Sequence, residues 1–550
     1  MKKRLLLRHL SVLLLLLCNI SVFADDLITK QVVINVESPG CLPNKMGNTK
    51  KYQITNLKLV GELNGTDIRF IREMAGAPSN TLEPLGIGGN LKILDLGEAK
   101  IVRGGSSYTT DSSDEVYTND NVIGKSMFYG CVGIEKLILP SGVIAIGTGA
   151  FSCCYSLTDL EIPKGVTSIY NGAFYECRGL QKIIIPSSIT FVSSDAFSKC
   201  YNLKDVRYYI YDSLEEYLEK KHPRIFVNRK VSYYIKGMEI TNLEIPYNVV
   251  TIGDNAFTGC SDLKSLTFSS EVSSIGRNAF EGCNGLTSLT FPSTVPSIDE
   301  CAFKGCESLS NLVLPSNIAS ISKSAFEGCK GLTNLTFPST VTSIDECAFK
   351  GCEDLSSLVL PSNITSISKS AFDGCKGLTN LTFPSTVTSI DECAFKGCEG
   401  LSSLVLPSNI TTIGKSAFEG CVALIALTLP STVTSIGENA FSNCSALASI
   451  YSNIPNPQNI SSKVFDGVNK QKCILYVPKD TYLRYWLADG WGDFENIVEY
   501  DVTGIDKTMV PSDVNEVSRY SVNGQRLTAP TKGVNIVKYS DGNVRKEIVK

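Results

Sequence analysis

Phe280-Glu281-Gly282-Cys283-Asn284-Gly285-Leu286-Thr287-Ser288-Leu289-Thr290-Phe291-Pro292 is answered, 23 residues on, by Phe303-Lys304-Gly305-Cys306-Glu307-Ser308-Leu309-Ser310-Asn311-Leu312-Val313-Leu314-Pro315. The same spacing joins Phe128, Phe151, Phe174 and Phe197. After a gap of 60 it joins Phe257, Phe280, Phe303, Phe326, Phe349, Phe372, Phe395, Phe418 and Phe441, and Phe465 follows at 24. A fixed period of this length marks a stack of repeated coils, each of which buries its apolar edge only against its neighbours.

Aligned on the phenylalanine, one unit reads A-F-x-x-C-x-x-L-x-x-L-x-L-P-x-x-V-x-x-I. The L-x-L alternation predicts a short strand with one buried face. The proline after it cannot donate a ladder hydrogen bond and so ends the strand. V-x-x-I starts the return side, and A-F carries the ring back inward in a short helical or 3₁₀ turn. The strands then pair into one parallel sheet. Between Thr290 and Ile410, Thr-Phe-Pro-Ser-Thr-Val coils alternate with Val-Leu-Pro-Ser-Asn-Ile coils, giving a second period of 46.

These residues resemble the BspA-like (Treponema pallidum type) leucine-rich repeats, found on bacterial surface proteins and in some protozoa. The resemblance covers most of residues 123–470. It implies a β-rich α/β fold: a right-handed leucine-rich-repeat solenoid, its parallel sheet on the concave face, used in adhesion and in binding host or matrix proteins.

Around the repeats the chain divides as follows. Residues 1–24 read as a secretory signal, with Lys2, Lys3, Arg4 and Arg8 before the apolar run Leu10 to Ile20 and a cleavage site at Val22-Phe23-Ala24. Lipid attachment at Cys18 is disfavoured by the bulky Leu17 before it. Residues 25–122 form an N-terminal cap, with Gly104–Asp120 as a polar loop. Residues 123–208 are a first repeat block and 246–470 a second. Between them, 209–245 is an irregular coil with a short helix in Asp212–Lys220; the alternative is a projecting binding loop. Residues 471–500 close the solenoid, with Tyr482, Tyr485, Trp486 and Trp491 covering its last layer. Residues 501–550 carry hairpin signals at Asn523-Gly524 and Asp541-Gly542. That tail is similar to C-terminal modules of secreted Bacteroidetes proteins, some of them type IX sorting signals; otherwise it is a small β module.

The composition bounds the function. The 43% apolar and 19% charged fractions are those of a folded chain. Without residues 1–24, 47 basic residues stand against 55 acidic, a net charge near −8. With no Lys/Arg cluster, nucleic acid is not an expected partner, and no later apolar stretch is long enough to span a membrane. His222 is the only histidine after His9, which argues against Ser-His, Cys-His and multi-His metal chemistry. No catalytic residue, metal ligand or cofactor is expected. Glu300, Glu346 and Glu392, like Asp299, Asp345 and Asp391, recur every second coil, as a solvated surface does.

Thirteen cysteines share one repeat position (Cys131, Cys154, Cys177, Cys200, Cys260, Cys283, Cys306, Cys329, Cys352, Cys375, Cys398, Cys421 and Cys444). One thiol per coil predicts a buried ladder, preferred to scattered disulfides or a metal site. Cys301, Cys347 and Cys393 form a sparser series.

The outward strand positions are the candidate ligand face. In the first block they are charged: Glu135, Lys136, Asp159, Glu161, Lys182, Lys204, Asp205 and Arg207. In the second they are neutral: Thr287, Thr290, Asn311, Thr333, Asn334, Thr336, Thr379, Asn380 and Thr382. Strand solubility explains such a face as well as ligand binding does. Three functions fit the sequence: a secreted or cell-surface protein that adheres to host or matrix proteins, a glycan binder, and a passive spacer. The oligomeric state is not legible.

Overall fold

The computed structural model describes residues 27–77, 89–111, 114–223, 231–235, 237–501, 516–521, 526–530, 532–539 and 544–549. The segment read as a leader, 1–24, and the two expected tail turns, Asn523-Gly524 and Asp541-Gly542, lie outside these. The described chain winds a β-solenoid of about 19 turns.

Three lines of hydrogen bonds run along the stack of coils. The first is the parallel sheet that the L-x-L alternation predicts. Ser288–Thr290, Asn311–Val313, Asn334–Thr336, Ser357–Val359 and Asn380–Thr382 pair in sequence order, with Leu289, Leu312, Leu335 and Leu358 pointing inward. The second is a return ladder of two-residue rungs made by the V-x-x-I segment. Ser297 and Ile298 pair with Ser320 and Ile321, and those with Ser343 and Ile344. The solenoid therefore carries a second parallel ladder besides the main sheet.

The third line runs through the A-F turn. The Phe280 N–H donates to the Ala302 carbonyl at 2.8 Å, and Phe303 to Ala325 at 2.9 Å. Each turn keeps an i+3 bond, as from Cys283 N–H to the Phe280 carbonyl, but closes after one turn. The residue two before the phenylalanine is left-handed (Cys301 φ 57°, Ser324 φ 55°, Cys347 φ 59°), and so is the glycine two after it (Gly305 φ 72°, Gly328 φ 74°). A Cβ on Gly328 would stand 3.6 Å from the Gly305 Cα. The left-handed backbone, more than the room available, demands glycine here.

The repeated side chains fill the interior. Neighbouring anchor rings lie 4.9–5.7 Å apart and within 14° of parallel. Within each block the ladder thiols after the first donate to the phenylalanine carbonyl of the preceding coil: Cys154 to Phe128 at 3.0 Å, Cys329 to Phe303 at 3.3 Å. That carbonyl also accepts its own coil's cysteine N–H. Cysteine thus satisfies a second lone pair that alanine would leave orphaned. The described cysteines are free thiols. Burial pushes the Cys131 thiol up to about 11 and the Cys306 thiol to about 12, so they stay protonated and unreactive.

The 46-residue period has an electrostatic cause. Three residues before the phenylalanine the sign alternates coil by coil: Lys323 meets Glu346 at 2.7 Å, Lys369 meets Glu392 at 2.8 Å, and Lys415 meets Glu438 at 3.8 Å. One residue after the phenylalanine it alternates in the opposite phase, with Lys304–Glu327, Lys350–Asp373 and Lys396–Glu419 at 2.8–3.1 Å. Lys330–Glu307 and Lys376–Glu353 form a third column. The periodic glutamates are therefore half of a set of ladders that two unlike coils must build together.

Between Phe197 and Phe257 the anchor is missing, and buried tyrosines continue the core. Tyr208 lies 5.2 Å from Tyr233, and Tyr233 5.4 Å from Phe257. Tyr217, on the helix Leu214–Leu218, lies 5.8 Å from Phe257 and stacks on His222 at 4.0 Å. Ser213 caps this helix by accepting the Glu216 N–H. The strand Ser232–Ile235 keeps pairing with Asp205–Ile210, and Met238–Glu239 folds back antiparallel to it, ending a nine-stranded sheet that begins at Val32–Val36.

Two elements depart from expectation. The polar run Gly104–Asp120 forms a hairpin, Gly104–Asp111 against Asp114–Thr118, because Tyr108, Thr109 and Thr118 are buried there. In the N-terminal cap, Asn64 and Asp67 form a capping box that starts the helix Gly65–Met74. At the far end Tyr485 and Trp491 are buried over the last coil, but Tyr482 and Trp486 face solvent. In this one-and-a-half-turn helix, Tyr482–Leu487, only Tyr485 is buried, and Tyr482 and Trp486 flank it outside the contact with the core. The tail is a four-stranded antiparallel sheet.

Phe326→Ala is expected to cost about 3–5 kcal/mol by removing a fully buried ring from the stack. Hydrogen exchange should show protection lost first in the coils on either side. Lys369→Glu, which sets three glutamates in a row, should lower the unfolding midpoint by a few degrees. That deficit should shrink in about 1 M salt, where the screening length falls to about 3 Å; a salt-independent deficit would refute the charge-ladder account. Burial holds the His222 imidazole down at about 4. The unfolded chain then binds the proton first as pH falls, so stability drops between about pH 6.5 and 4, by on the order of 3 kcal/mol. Titrating the unfolding free energy of His222→Gln should show that slope flattened.

Candidate functional site

Alternation along each strand sends every second side chain outward, and the sheet sets these in columns. In the first block, register aligns Lys136, Asp159, Lys182 and Asp205 in one column of alternating sign. Ile138 stands exposed beside it, and Glu161, Ile184 and Arg207 follow in the next column. Much of this charge is already engaged. Glu135 meets Lys92 at 3.3 Å, and Arg207 holds Asp205 with two nitrogens at 2.9–3.1 Å. Glu161 and Lys204 are exposed.

In the second block, Asn311, Asn334 and Asn380 stand in one column with Ser288 and Ser357. Thr290, Thr336 and Thr382 alternate with Val313, Val359 and Val405 in the next, and these valines are exposed. Thr287, Thr333 and Thr379 precede the strands. The Thr333 and Thr379 hydroxyls donate to the preceding coil's carbonyls at Ser310 and Ser356, and accept from Asn334 and Asn380 at 3.2 and 3.1 Å. The second-block face is thus flat, neutral and largely satisfied by its own neighbours.

The face changes character where the two blocks meet. Tyr209 and Tyr234 stack at 4.8 Å, Tyr211 lies 6.1 Å from Tyr209, and the Arg207 guanidinium sits 5.7 Å from the Tyr234 ring. Tyr211 is half exposed and Met238 is 72% exposed, on the strand paired to Tyr234. None of these three tyrosines was marked by the repeat pattern. For Tyr209 and Tyr234 the signal was two Tyr-Tyr pairs, Tyr208-Tyr209 and Tyr233-Tyr234: alternation puts one ring of each in the core and the other on the face.

Chemistry has few footholds. His222 is buried, its Nε2 held 2.7 Å from the Tyr217 carbonyl. Among the described residues no cluster of His, Cys, Asp or Glu could hold a metal ion, and no helix is long and apolar enough to cross a membrane. Two cavities of about 20 and 90 Å³ fall well short of the roughly 300–1,000 Å³ typical of small-molecule sites.

No curated protein matches the chain. Among solved structures, a leucine-rich repeat protein from Bacteroides ovatus is 23% identical, covering 71% of this chain and 90% of its own, with a TM-score of 0.39. A leucine rich cell surface protein from Faecalibacterium prausnitzii is also 23% identical, covering 62% and 87%, with a TM-score of 0.33. The pneumococcal vaccine antigen PcpA is 17% identical, covering 66% and 85%, with a TM-score of 0.33. Six copies of the BspA type leucine rich repeat region match residues 113–218, 231–356 and 347–472, more than half of the chain, which therefore belongs to that family.

Proposed function

We propose that this chain is a non-enzymatic binding protein of the cell exterior, secreted or surface-attached, that adheres to host or matrix proteins through the outer face of its main sheet. The observation that carries the reading is the cluster of Arg207, Tyr209, Tyr211, Tyr234 and Met238 at the block junction. Tyrosine, arginine and methionine are enriched in protein interfaces, and the first two are the residue types that dominate their hot spots. The repeated residues face the core and are alike in every coil, so they do not select a partner. The leader at 1–24 and the family's presence on bacterial surfaces support an exterior location.

A glycan ligand is the second reading, and the neutral Thr/Asn columns favour it. The stacked Tyr209 and Tyr234 rings turn their faces to each other and their edges outward, which suits protein contact better than a sugar laid on a ring face. A passive spacer is the third, and the outward tyrosines have no role in it.

Solid-phase binding of the chain to matrix proteins and host-cell surfaces should be saturable. The double substitution Tyr209→Ala, Tyr234→Ala should weaken it by about 2 kcal/mol or more, the hot-spot range, with the unfolding midpoint nearly unchanged. Absence of saturable binding to any protein surface, together with hits on a glycan array, would transfer the function to the second reading.

A further inference from the structure

The return ladder stops one rung early, and the stop leaves a groove. Its last rung is Ser435–Ile436, which pairs only with Thr412–Ile413. Within each continuous run of rungs the next coil donates across. Thr434 and Ser435 N–H reach the Thr411 carbonyl at 2.9 and 3.2 Å, and Gly437 N–H reaches Ile413 at 2.8 Å. The carbonyls of Thr434 and Ile436 receive no such donor from the described residues. By the same register the Ile436 N–H points to the empty side. The free edge therefore offers acceptor, donor, acceptor in a row.

The sequence explains the missing rung. The coil that should supply it reads Asn453-Ile454-Pro455-Asn456-Pro457-Gln458-Asn459-Ile460, and its two prolines lack the N–H and keep to edges and turns. This segment bonds to the closing coil instead. Trp491 Nε1 donates to the Gln458 carbonyl at 3.0 Å, and Ile460 N–H to Asp489 at 3.0 Å. Between it and the edge lies the groove of about 90 Å³, walled by Thr434, Ser435, Ile436, Ile454, Ile460 and Trp491. The exposure of Ile436 marks the gap. Its counterparts in the second block, from Ile252 to Ile413, are at most 3% exposed, whereas Ile436, like Val192 at the end of the first block's ladder, is half-buried.

We propose that this groove is a strand-addition site for an extended peptide of a partner protein, laid parallel to Ser435–Ile436 with one β-branched aliphatic side chain seated among Ile436, Ile460 and Trp491. The free main-chain groups specify an extended peptide, because only a backbone presents donor, acceptor, donor at strand spacing. The established ladder fixes direction and register, since every rung before it is parallel and in step. The apolar walls and small volume fix the side chain, which is too large a fit for alanine and too tight for an aromatic ring. The site lies on the return ladder, away from the outer face of the main sheet, and holds whether or not that face binds protein.

The probe is acetyl-Thr-Val-Thr-Ser-Ile-Gly-amide, a copy of residues 432–437, labelled and titrated with the full chain by fluorescence anisotropy. Saturable binding is expected. N-methylation at the serine or at the glycine removes a donor that the edge needs, and each should weaken binding by roughly tenfold. N-methylation at the isoleucine alters an N–H that points away and should leave binding within about twofold. Ile436→Lys, at a half-exposed position that tolerates charge, should weaken the parent peptide by roughly tenfold. No binding up to several millimolar overturns the proposal. So does binding that ignores the serine and glycine methyl groups, or that Ile436→Lys leaves unchanged.

Discussion

One phenylalanine ring per coil, laid flat on the ring of the coil before it, is the contact on which the other layers depend. The ring arrives in the core because a left-handed residue on each side of it turns the A-F segment inward. Once there it sets the axial spacing that the sheet, the return ladder and the turn bonds all share. Each stacked pair adds about 0.5–1.5 kcal/mol to the burial of the ring itself. Within each block an anchor's carbonyl takes both the N–H of its own coil's cysteine and the S–H of the next, so the thiol ladder follows from the ring ladder. Removing a ring would open a cavity and also unsettle the carbonyl beside it.

Near-identical coils carry a hazard that this stack solves with charge. Apolar contacts alone cannot tell one Thr-Phe-Pro coil from the next, so a coil could slip by one repeat and still bury its rings. The two antiphase ladders make that slip costly, because it would set lysine against lysine and glutamate against glutamate. Single exposed pairs contribute little. Their worth here is in ordering the coils, and the duplicated unit of two coils is the smallest that can encode alternation.

Much of this was legible in the chain and some was not, for physical reasons. The anchors, leucines and cysteines announce themselves because interior positions tolerate few residues and repeat them. The charge ladders were half visible: Glu300, Glu346 and Glu392 recur plainly, but their partners sit in the intervening coils, and only stacking brings them to the same height. The hairpin in Gly104–Asp120 was hidden because its polar composition resembles a loop, while Tyr108 and its neighbours are held by contacts remote in sequence. The outward tyrosines were hidden by symmetry of type. In Tyr208-Tyr209 and Tyr233-Tyr234 one ring is core and the other is surface, and the letters do not say which.

The period is most informative where it fails, and it fails in two ways. Between Phe197 and Phe257 one main sheet ends at Met238–Glu239 and the next begins at Asn242–Glu244, while the anchor changes from phenylalanine to tyrosine, so the core survives and the face acquires aromatic and guanidinium groups. After Ile436 the core also survives, through Phe441, Phe465 and Trp491, but the return ladder loses its next rung to Pro455 and Pro457. In the first case the novelty lies in side chains. In the second the side chains close the core and the novelty is unsatisfied backbone. A solenoid has few other means of making a site. Its repeated coils are alike in their surface, so recognition has to be built from a changed side-chain column or from a missing strand.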